Sequence, residues 1–421
     1  MKLGTENAKR ALELLGNPTE GMEIVHVAGT NGKGSVCAMI ASVLRASGYT
    51  VGLYTSPHLI DLKERITINN EMISESDLVH LIEDTRERLE EKADPPLKLT
   101  FFEFITAVAA RYFSTKKVDF LIAETGLGGR FDATNAFDPA LSVITRIGID
   151  HTDQLGDTIE SVASEKAGII RKGTAVVSSA IEPVAAEIVR ENAREAGCSI
   201  IEQGRDFRYS NVRCGIDGTV FDYTGTRTIE DVRTNLIGCY QAENAATAIA
   251  ACDALAFLRG FEIDDMDILR GLEQVDLHGR LEVVSERPLT MVDCGHNPSA
   301  VKEMVDSLDG MGKTLDTVIF AISSDKDYRK VASILFPHAR RIILTRYGNE
   351  RSADPELLRP LAEELGKEAR ITDSVPEAFD LARRITGEDE TILIAGSIFL
   401  VGEAISYLLK IGPADIEMAG F

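Results

Sequence analysis

Short apolar runs alternate with amphipathic stretches along most of this chain, and their two periods predict its elements. Met22–Ala28 reads as a buried strand, and Lys33–Ser47 carries Val36, Met39, Ile40, Val43 and Leu44 at helical spacing. Thr50–Tyr54 predicts a short strand. Leu78–Glu91 predicts a charged amphipathic helix and Phe101–Tyr112 a more apolar one. Val118–Ala123 reads as a strand ending at Glu124, and Ala140–Ile147 as another. Strands and helices in alternation specify a parallel sheet covered by helices on both faces. The stretch Ser199–Arg233 differs, with short alternating segments such as Gly218–Thr224 set between Gly and Asp, and predicts a small antiparallel β-element appended to the first domain. An alanine-rich helix follows over about Gln241–Leu258. The pattern restarts near His278–Glu282, with strands expected at Leu289–Asp293, Thr317–Ile322, Arg341–Thr345 and Thr391–Ala395. We therefore expect a first α/β domain over residues 1–283 and a second over 284–421.

Composition narrows the class. A chain of 421 residues is long enough for two sizeable cores, and 44% hydrophobic with 27% charged residues is ordinary for a globular protein. A net charge of −22 excludes a general nucleic-acid binder, which needs a basic face. The acidity itself reads as solubility. The six cysteines (Cys37, Cys198, Cys214, Cys239, Cys252 and Cys294) form no C-x-x-C pair, so neither a disulfide framework nor a zinc site is expected, and a reducing compartment fits. The first residues, Met1–Asn7, lack the apolar core of a signal peptide. No apolar run approaches the roughly 20 residues that span a bilayer. A cytoplasmic protein is expected.

The chemistry is concentrated at strand ends. His26–Ser35 (HVAGTNGKGS) joins the first strand to a helix. A glycine-rich turn at a helix N-terminus is an anion site, because backbone N–H groups and the helix dipole favour negative charge. Gly29, Gly32 and Gly34 permit close backbone approach, Lys33 adds a mobile cation, and Ser35 a hydroxyl suited to Mg²⁺. A nucleoside triphosphate is the implied ligand, against the plainer reading of a turn that merely needs glycine. The spacing departs from the common phosphate loop, since Gly34 separates Lys33 from Ser35. Glu124 ends a strand, where a carboxylate can hold Mg²⁺ or simply cap a helix. His151 lies just past another strand and reads as a polar histidine more readily than as a ligand. By spacing alone Lys166 reads as an exposed helical lysine, and Asn244 as a polar residue at a helix start. Asp293 ends a strand before the turn Cys294–Pro298, a placement suited to ribose or base contacts. The second domain has neither a phosphate loop nor G-x-G-x-x-G, so a dinucleotide site is unsupported.

These segments together resemble the Mur ligase superfamily, and within it the folate branch of folylpolyglutamate and dihydrofolate synthases. The resemblance runs from Leu14–Pro18 to Gly396–Glu403. It is carried by His26–Ser35, Tyr54–His58 with Glu64–Ile66, Thr100–Glu103, Glu124–Asn135 (ETGLGGRFDATN), Ile147–Gly156, Glu165–Ile169, Gly279–Glu282, Asp293–Pro298 and Asp325–Asp327. It implies a phosphate-loop ATPase domain with a small β-element, followed by a second, Rossmann-like α/β domain. By that resemblance ATP is held by Thr30, Asn31, Gly32, Lys33, Gly34 and Ser35, with Asn244, Arg280, Asp293 and His296. Mg²⁺ ligands match Ser56, Glu124 and His151, with Ser35, and two Mg²⁺ sites are implied. Lys166 matches a lysine carbamylated by CO₂, and the resemblance also admits a monovalent cation. The pterin side matches Thr100, Phe101, Phe102 and Glu103, and Phe131, Asp132 and Ala133. The family's usual Asp-Gly-Ala-His-Asn stands here as Asp293–Asn297 (DCGHN).

The implied reaction is ATP-dependent ligation of L-glutamate to a folate or dihydropteroate carboxylate through an acyl phosphate. Lys33, Lys166, His151 and Arg280 are the expected catalytic group, with the domains closing over the reaction from Arg280 onward. Partners are then small molecules, without nucleic acid or membrane, and the chain is expected to be a monomer. Three other readings stay open: ligation to another pterin cofactor or acid, a phosphate-loop kinase or NTPase, and a non-catalytic nucleotide-binding scaffold.

Overall fold

The computed structural model describes residues 5–411; residues 1–4, the start of the segment read as lacking a leader, and 412–421 lie outside them. The main sheet is built from β1 (Glu23–Ala28), β2 (Val51–Tyr54), β3 (Ile66–Ile68), β4 (Glu71–Met72), β5 (Phe120–Glu124), β6 (Leu141–Ile144), β7 (Ala175–Ser178) and β8 (Ser199–Glu202). Their order is β4-β3-β2-β5-β1-β6-β7-β8. Strands β2, β5, β1, β6, β7 and β8 run parallel, and β3 and β4 add an antiparallel edge. Strand β1 is buried from Ile24 to Ala28, as a central strand covered on both faces must be. Ile24, Leu121, Ala123 and Phe113 belong to one core cluster, and Ala28, Ile144, Val176 and Val162 to another. The helix Lys33–Ala46 packs on the helices Gln241–Arg259 and Asp265–Glu273. Ser42 Oγ–H donates to Gly271 O at 2.7 Å.

The Ser199–Arg233 segment divides differently from its sequence pattern. Ser199–Glu202 is the eighth strand of the main sheet, parallel to β7. Only β9 (Arg208–Gly215), β10 (Gly218–Thr224) and β11 (Thr228–Thr234) form the separate sheet, in the order β11-β10-β9. Their links are too short for parallel crossovers, so the three strands are antiparallel.

The chain separates into two units. The first comprises residues 1–212, 220–235 and 241–276, and the second 213–219, 236–240 and 277–421. The second unit holds β12 (Glu282–Glu286), β13 (Leu289–Asp293), β14 (Leu315–Phe320), β15 (Ala339–Leu344), β16 (Ala369–Ile371) and β17 (Thr391–Ala395), in the order β12-β13-β17-β14-β15-β16. All neighbours are parallel except β12, which pairs antiparallel with β13. Met291, Val318, Phe320, Ile342 and Leu393 form its core with Met304, Leu335 and Leu358 from the helices. Strands β3, β4 and β7 of the first unit are absent from the sequence reading, as are β12 and β16 of the second, which are both sheet edges. The alternating or short patterns of β12 and β16 carry too little apolar signal to stand out.

One expectation is overturned here. Cys214 and Cys239 form a disulfide, with Cα atoms 5.3 Å apart. They lie 25 residues apart in sequence, and no spacing rule connects them. The fold brings together the end of β9 and the residue pair before Gln241.

Candidate active site

The parallel sheet places the carboxyl ends of β2, β5, β1 and β6 side by side, and each delivers one part of the site. After β1 comes the glycine-rich loop. A Cβ at Gly29 would collide with the Thr145 side chain, and one at Gly32 with the Asn244 amide oxygen. Gly32 also sits at φ 86° as the residue before the helix, a conformation that suits glycine. Gly34 is different, because its Cβ would lie 3.8 Å from the Glu124 carboxylate, an ordinary contact. The loop is laced to the strand beside it. Thr30 N–H donates to Arg146 O (2.8 Å), Thr30 Oγ1–H to Gly148 O (2.7 Å), and Thr145 Oγ1–H to Asn31 O (2.7 Å). No side chain caps the helix that starts at Lys33, so its N-terminal N–H groups and dipole remain suited to an anion. Lys33 Nζ bonds Thr30 O at 3.2 Å, folded over its own loop. Asn244, in the first turn of its helix, gives Nδ2–H to Gln241 Oε1 at 2.8 Å, which directs its oxygen to Gly32.

Glu124 is the last residue of β5 and pairs in register with Val27 of β1, one strand away from the loop. It is 6% exposed, and its Oε2 accepts Ser56 N–H at 3.1 Å. Ser56, just past β2, has a buried Oγ with no hydrogen-bond partner among the described residues. A buried hydroxyl without a partner is costly unless a ligand completes it. His151, past β6, adopts φ 54°, and its backbone N–H donates to Asp150 Oδ1 at 2.7 Å.

Lys166 corrects the spacing-based reading. It is 4% exposed, in the helix Ile159–Ala167, and its Nζ donates to Gly29 O at 2.7 Å. Burial, and then the Lys33 charge, bring its pKa down to about 7. The residue that looked like a solvated helical lysine is an amine pressed against the phosphate loop.

The residues matched to the pterin side do much structural work. Thr100 and Glu103 form a capping box: Glu103 N–H donates to Thr100 Oγ1 (3.3 Å), and Thr100 N–H to Glu103 Oε2 (2.7 Å). Phe102 stacks on Tyr54 with centroids 6.0 Å apart. Phe101 is exposed and lies under the Arg65 guanidinium, 5.6 Å from the ring centroid. Arg65 Nε–H donates in turn to His58 Nδ1 at 3.0 Å. His58 and Arg65 lie in the segments Tyr54–His58 and Glu64–Ile66 that carry the resemblance, but the sequence analysis gives neither a role, since an Arg or His after a strand carries no spacing signal. Phe131 is exposed and Ala133 buried. Asp132 is buried, accepts Leu127 N–H (2.8 Å), Thr134 N–H (3.0 Å) and Thr134 Oγ1–H (2.5 Å), and burial raises its pKa. With Thr134's proton given to Asp132, His26 Nε2 must donate to Thr134 Oγ1, 2.8 Å away. Burial, and then the Arg171 charge, lower its pKa to about 3, so the His26 ring is a neutral imidazole.

In the second unit, Asp293 closes a turn. Its carboxylate accepts Leu281 N–H (2.9 Å) and Gly295 N–H (2.7 Å), and burial raises its pKa against the opposing pull of Arg280. Arg280 Nη1–H donates to Gly279 O at 3.1 Å, and the His296 ring bonds Cys294 O through Nδ1 at 3.0 Å. Asp293 thus holds the two segments carrying Arg280 and His296 together.

A phosphate loop with a carboxylate at the neighbouring strand end, on a chain that continues into a second α/β unit, is the layout of an ATP-dependent Mur-type ligase. The Mur ligase middle domain matches residues 27–252, and the Mur ligase glutamate ligase domain residues 279–398. The chain is 34% identical over 411 residues to the dihydrofolate synthase/folylpolyglutamate synthase of Bacillus subtilis, covering 96% of this chain and 94% of that one. It is 35% identical over 411 residues to a probable bifunctional folylpolyglutamate synthase/dihydropteroate synthase of Haloferax volcanii, and spans 48% of that longer protein. The structure of Mycobacterium tuberculosis folylpolyglutamate synthase complexed with ADP superposes with a TM-score of 0.90 at 28% identity, over 96% of this chain and 94% of that chain. This chain belongs to the folylpolyglutamate synthase/dihydrofolate synthase family of the Mur ligases. Among the described residues no helix is long and apolar enough to cross a membrane.

Proposed function

We propose that this chain is an ATP-dependent ligase that joins L-glutamate to the carboxylate of a folate or of dihydropteroate, releasing ADP and phosphate. Beside the family, one observation carries this reading: the uncapped loop–helix junction at Lys33 lies next to the Glu124 carboxylate and the partnerless Ser56 hydroxyl. An acceptor carboxylate oxygen attacks the γ-phosphorus, the bond to the bridging oxygen breaks, and ADP leaves. The glutamate amine then attacks the acyl carbon, phosphate leaves, and the nitrogen gives up a proton. Both the acceptor and the triphosphate are anions. At about 4 Å two unit charges repel by roughly 4 kcal/mol at an effective dielectric near 20. Lys33 and the N–H groups at the start of its helix lower that repulsion and hold the γ-phosphoryl group in line. On the second unit, Arg280, Asp293 and His296 are the proposed nucleotide contacts, and Phe101 and Phe131 supply exposed aromatic faces for the pterin ring.

The oxygen donors fit Mg²⁺. Ser35, Ser56 and Glu124 would hold it with His151, and the buried Ser56 Oγ is the atom that lacks a partner without it. Bound Mg²⁺ neutralises triphosphate charge. Glu124→Gln keeps the shape and removes the anion. The expected result is a Mg²⁺ half-saturation at least about tenfold higher with an unchanged melting temperature, read by metal titration of phosphate release and of nucleotide binding. An unchanged Mg²⁺ dependence would remove Glu124 from the metal site. Lys166 is proposed to be carbamylated: its neutral amine adds to CO₂ and loses a proton, which turns a cation into an anion. A cytoplasmic monomer completes the reading.

The direct test is product mass spectrometry after incubation with ATP, glutamate, and either dihydropteroate or tetrahydrofolate. A mass increase of one glutamate residue on either acceptor is expected, and the acceptor that gains it names the activity. Phosphate release that needs no glutamate would overturn the ligase reading in favour of a kinase or NTPase.

A further inference from the structure

We infer that Arg146 and Glu243 form a positioning pair that sets the phosphate loop against Asn244 and thereby governs ATP affinity. The inference rests on the ligase reading only for its use of ATP. Arg146 follows Thr145 at the end of β6, and it acts twice. Its backbone carbonyl accepts Thr30 N–H at 2.8 Å and Asn31 N–H at 3.4 Å, which fixes the first half of the loop. Its guanidinium meets Glu243 as a fork, Nε to Oε1 at 3.0 Å and Nη2 to Oε2 at 2.6 Å. Glu243 is buried in the first turn of the helix Gln241–Arg259 and immediately precedes Asn244, whose amide oxygen lies against Gly32. One residue therefore ties the loop, through its backbone carbonyl, to the helix that presents the amide, through its side chain.

The remaining contacts of Glu243 do not replace the fork. Gln203 Nε2 reaches Oε2 at 3.5 Å and Tyr209 OH at 3.3 Å, both long for hydrogen bonds to a carboxylate. A planar bidentate pair fixes orientation as well as distance, which a lysine at the same position does not reproduce. The pair spans 97 residues of sequence within the first unit. In this role the pair acts through the loop and Asn244.

The test compares Arg146→Lys with the double variant R146Q/E243Q. The double variant removes both charges, so no buried carboxylate is left unpaired and the fold is spared that penalty. Each is measured for melting temperature, for the dissociation constant of a fluorescent ATP analogue, and for the KM values of ATP and glutamate. The expected result is an ATP dissociation constant and KM raised at least about tenfold in both variants, with glutamate KM within about twofold. The melting temperature of the double variant stays near that of the parent. The proposal is overturned by an ATP dissociation constant within about twofold of the parent in the folded double variant, or by an equal rise in both KM values. Because nucleotide binding is measured without an acceptor, a wrong assignment of the acceptor leaves this outcome intact.

Discussion

Lys33→Ala loses ATP-dependent ligation by at least about 10²-fold in kcat while the protein keeps its melting temperature. The magnitude follows from removing one electrostatic stabiliser of the transferring phosphoryl group. The fold survives because the Lys33 side chain is only half-buried and bonds one carbonyl of its own loop at 3.2 Å. Alanine is also a strong helix former at the first helical position. Phosphate release at saturating ATP reads the loss, and a circular dichroism melt reads the fold. Near-parental turnover would exclude Lys33 from the transferring group's surroundings. Lys33→Arg, which keeps the charge on a bulkier head, is expected to recover only part of the activity.

Lys166→Ala loses a similar factor of at least about 10², and here the loss is chemically reversible. If a carbamate supplies an anion at this position, a short carboxylic acid added to the alanine variant fills the same place and restores part of the rate. The parent enzyme then loses activity in CO₂-free buffer. Carbamate formation needs the neutral amine, so at fixed CO₂ activity falls as pH drops through about 7. Stability follows the same proton. The folded pKa of about 7 lies below the ordinary lysine value of 10.5, so the unfolded chain binds more protons across that window. Without CO₂, stability from this group therefore rises with pH from 7 to 10.5 and is lowest below 7. Lys166→Met removes that dependence. Its melting temperature exceeds the parent's most below pH 7, and the gap closes toward pH 10. Activity of Lys166→Ala at the parental level would remove the carbamate.

Signals that are local in sequence were readable. The loop Gly29–Ser35 and the strand ending at Glu124 each announce themselves within ten residues, because a strand end, a glycine turn and a helix start are contiguous. Thr100 and Glu103 are also local, and their T-x-x-E spacing is a capping-box pattern that sequence alone could have identified beside the pterin match. Burial is another matter. Spacing put Lys166 on an exposed helix face, and only the packing of its helix against the loop shows the buried amine. The Arg146–Glu243 fork and the Cys214–Cys239 bond join residues brought together only by the tertiary fold, with no fixed offset between partners. The burial of the partnerless Ser56 hydroxyl is likewise a product of packing. The short edge strands β12 and β16, and the transfer of Ser199–Glu202 to the main sheet, escaped for the same reason: their pairing partners, not their own residues, define them.

The central place of β1, between β5 and β6, has a consequence for how nucleotide and fold are coupled. The loop, Glu124 and the Thr145–Arg146 braces come from three strand ends that are adjacent only once those strands have paired. On the proposed nucleotide site, opening any one of these pairings dismantles the binding surface, so local fraying and nucleotide release are expected to be the same event. Bound nucleotide then slows amide exchange through β5, β1 and β6 together, including residues such as Leu121 that lie well away from the loop, rather than in the loop alone.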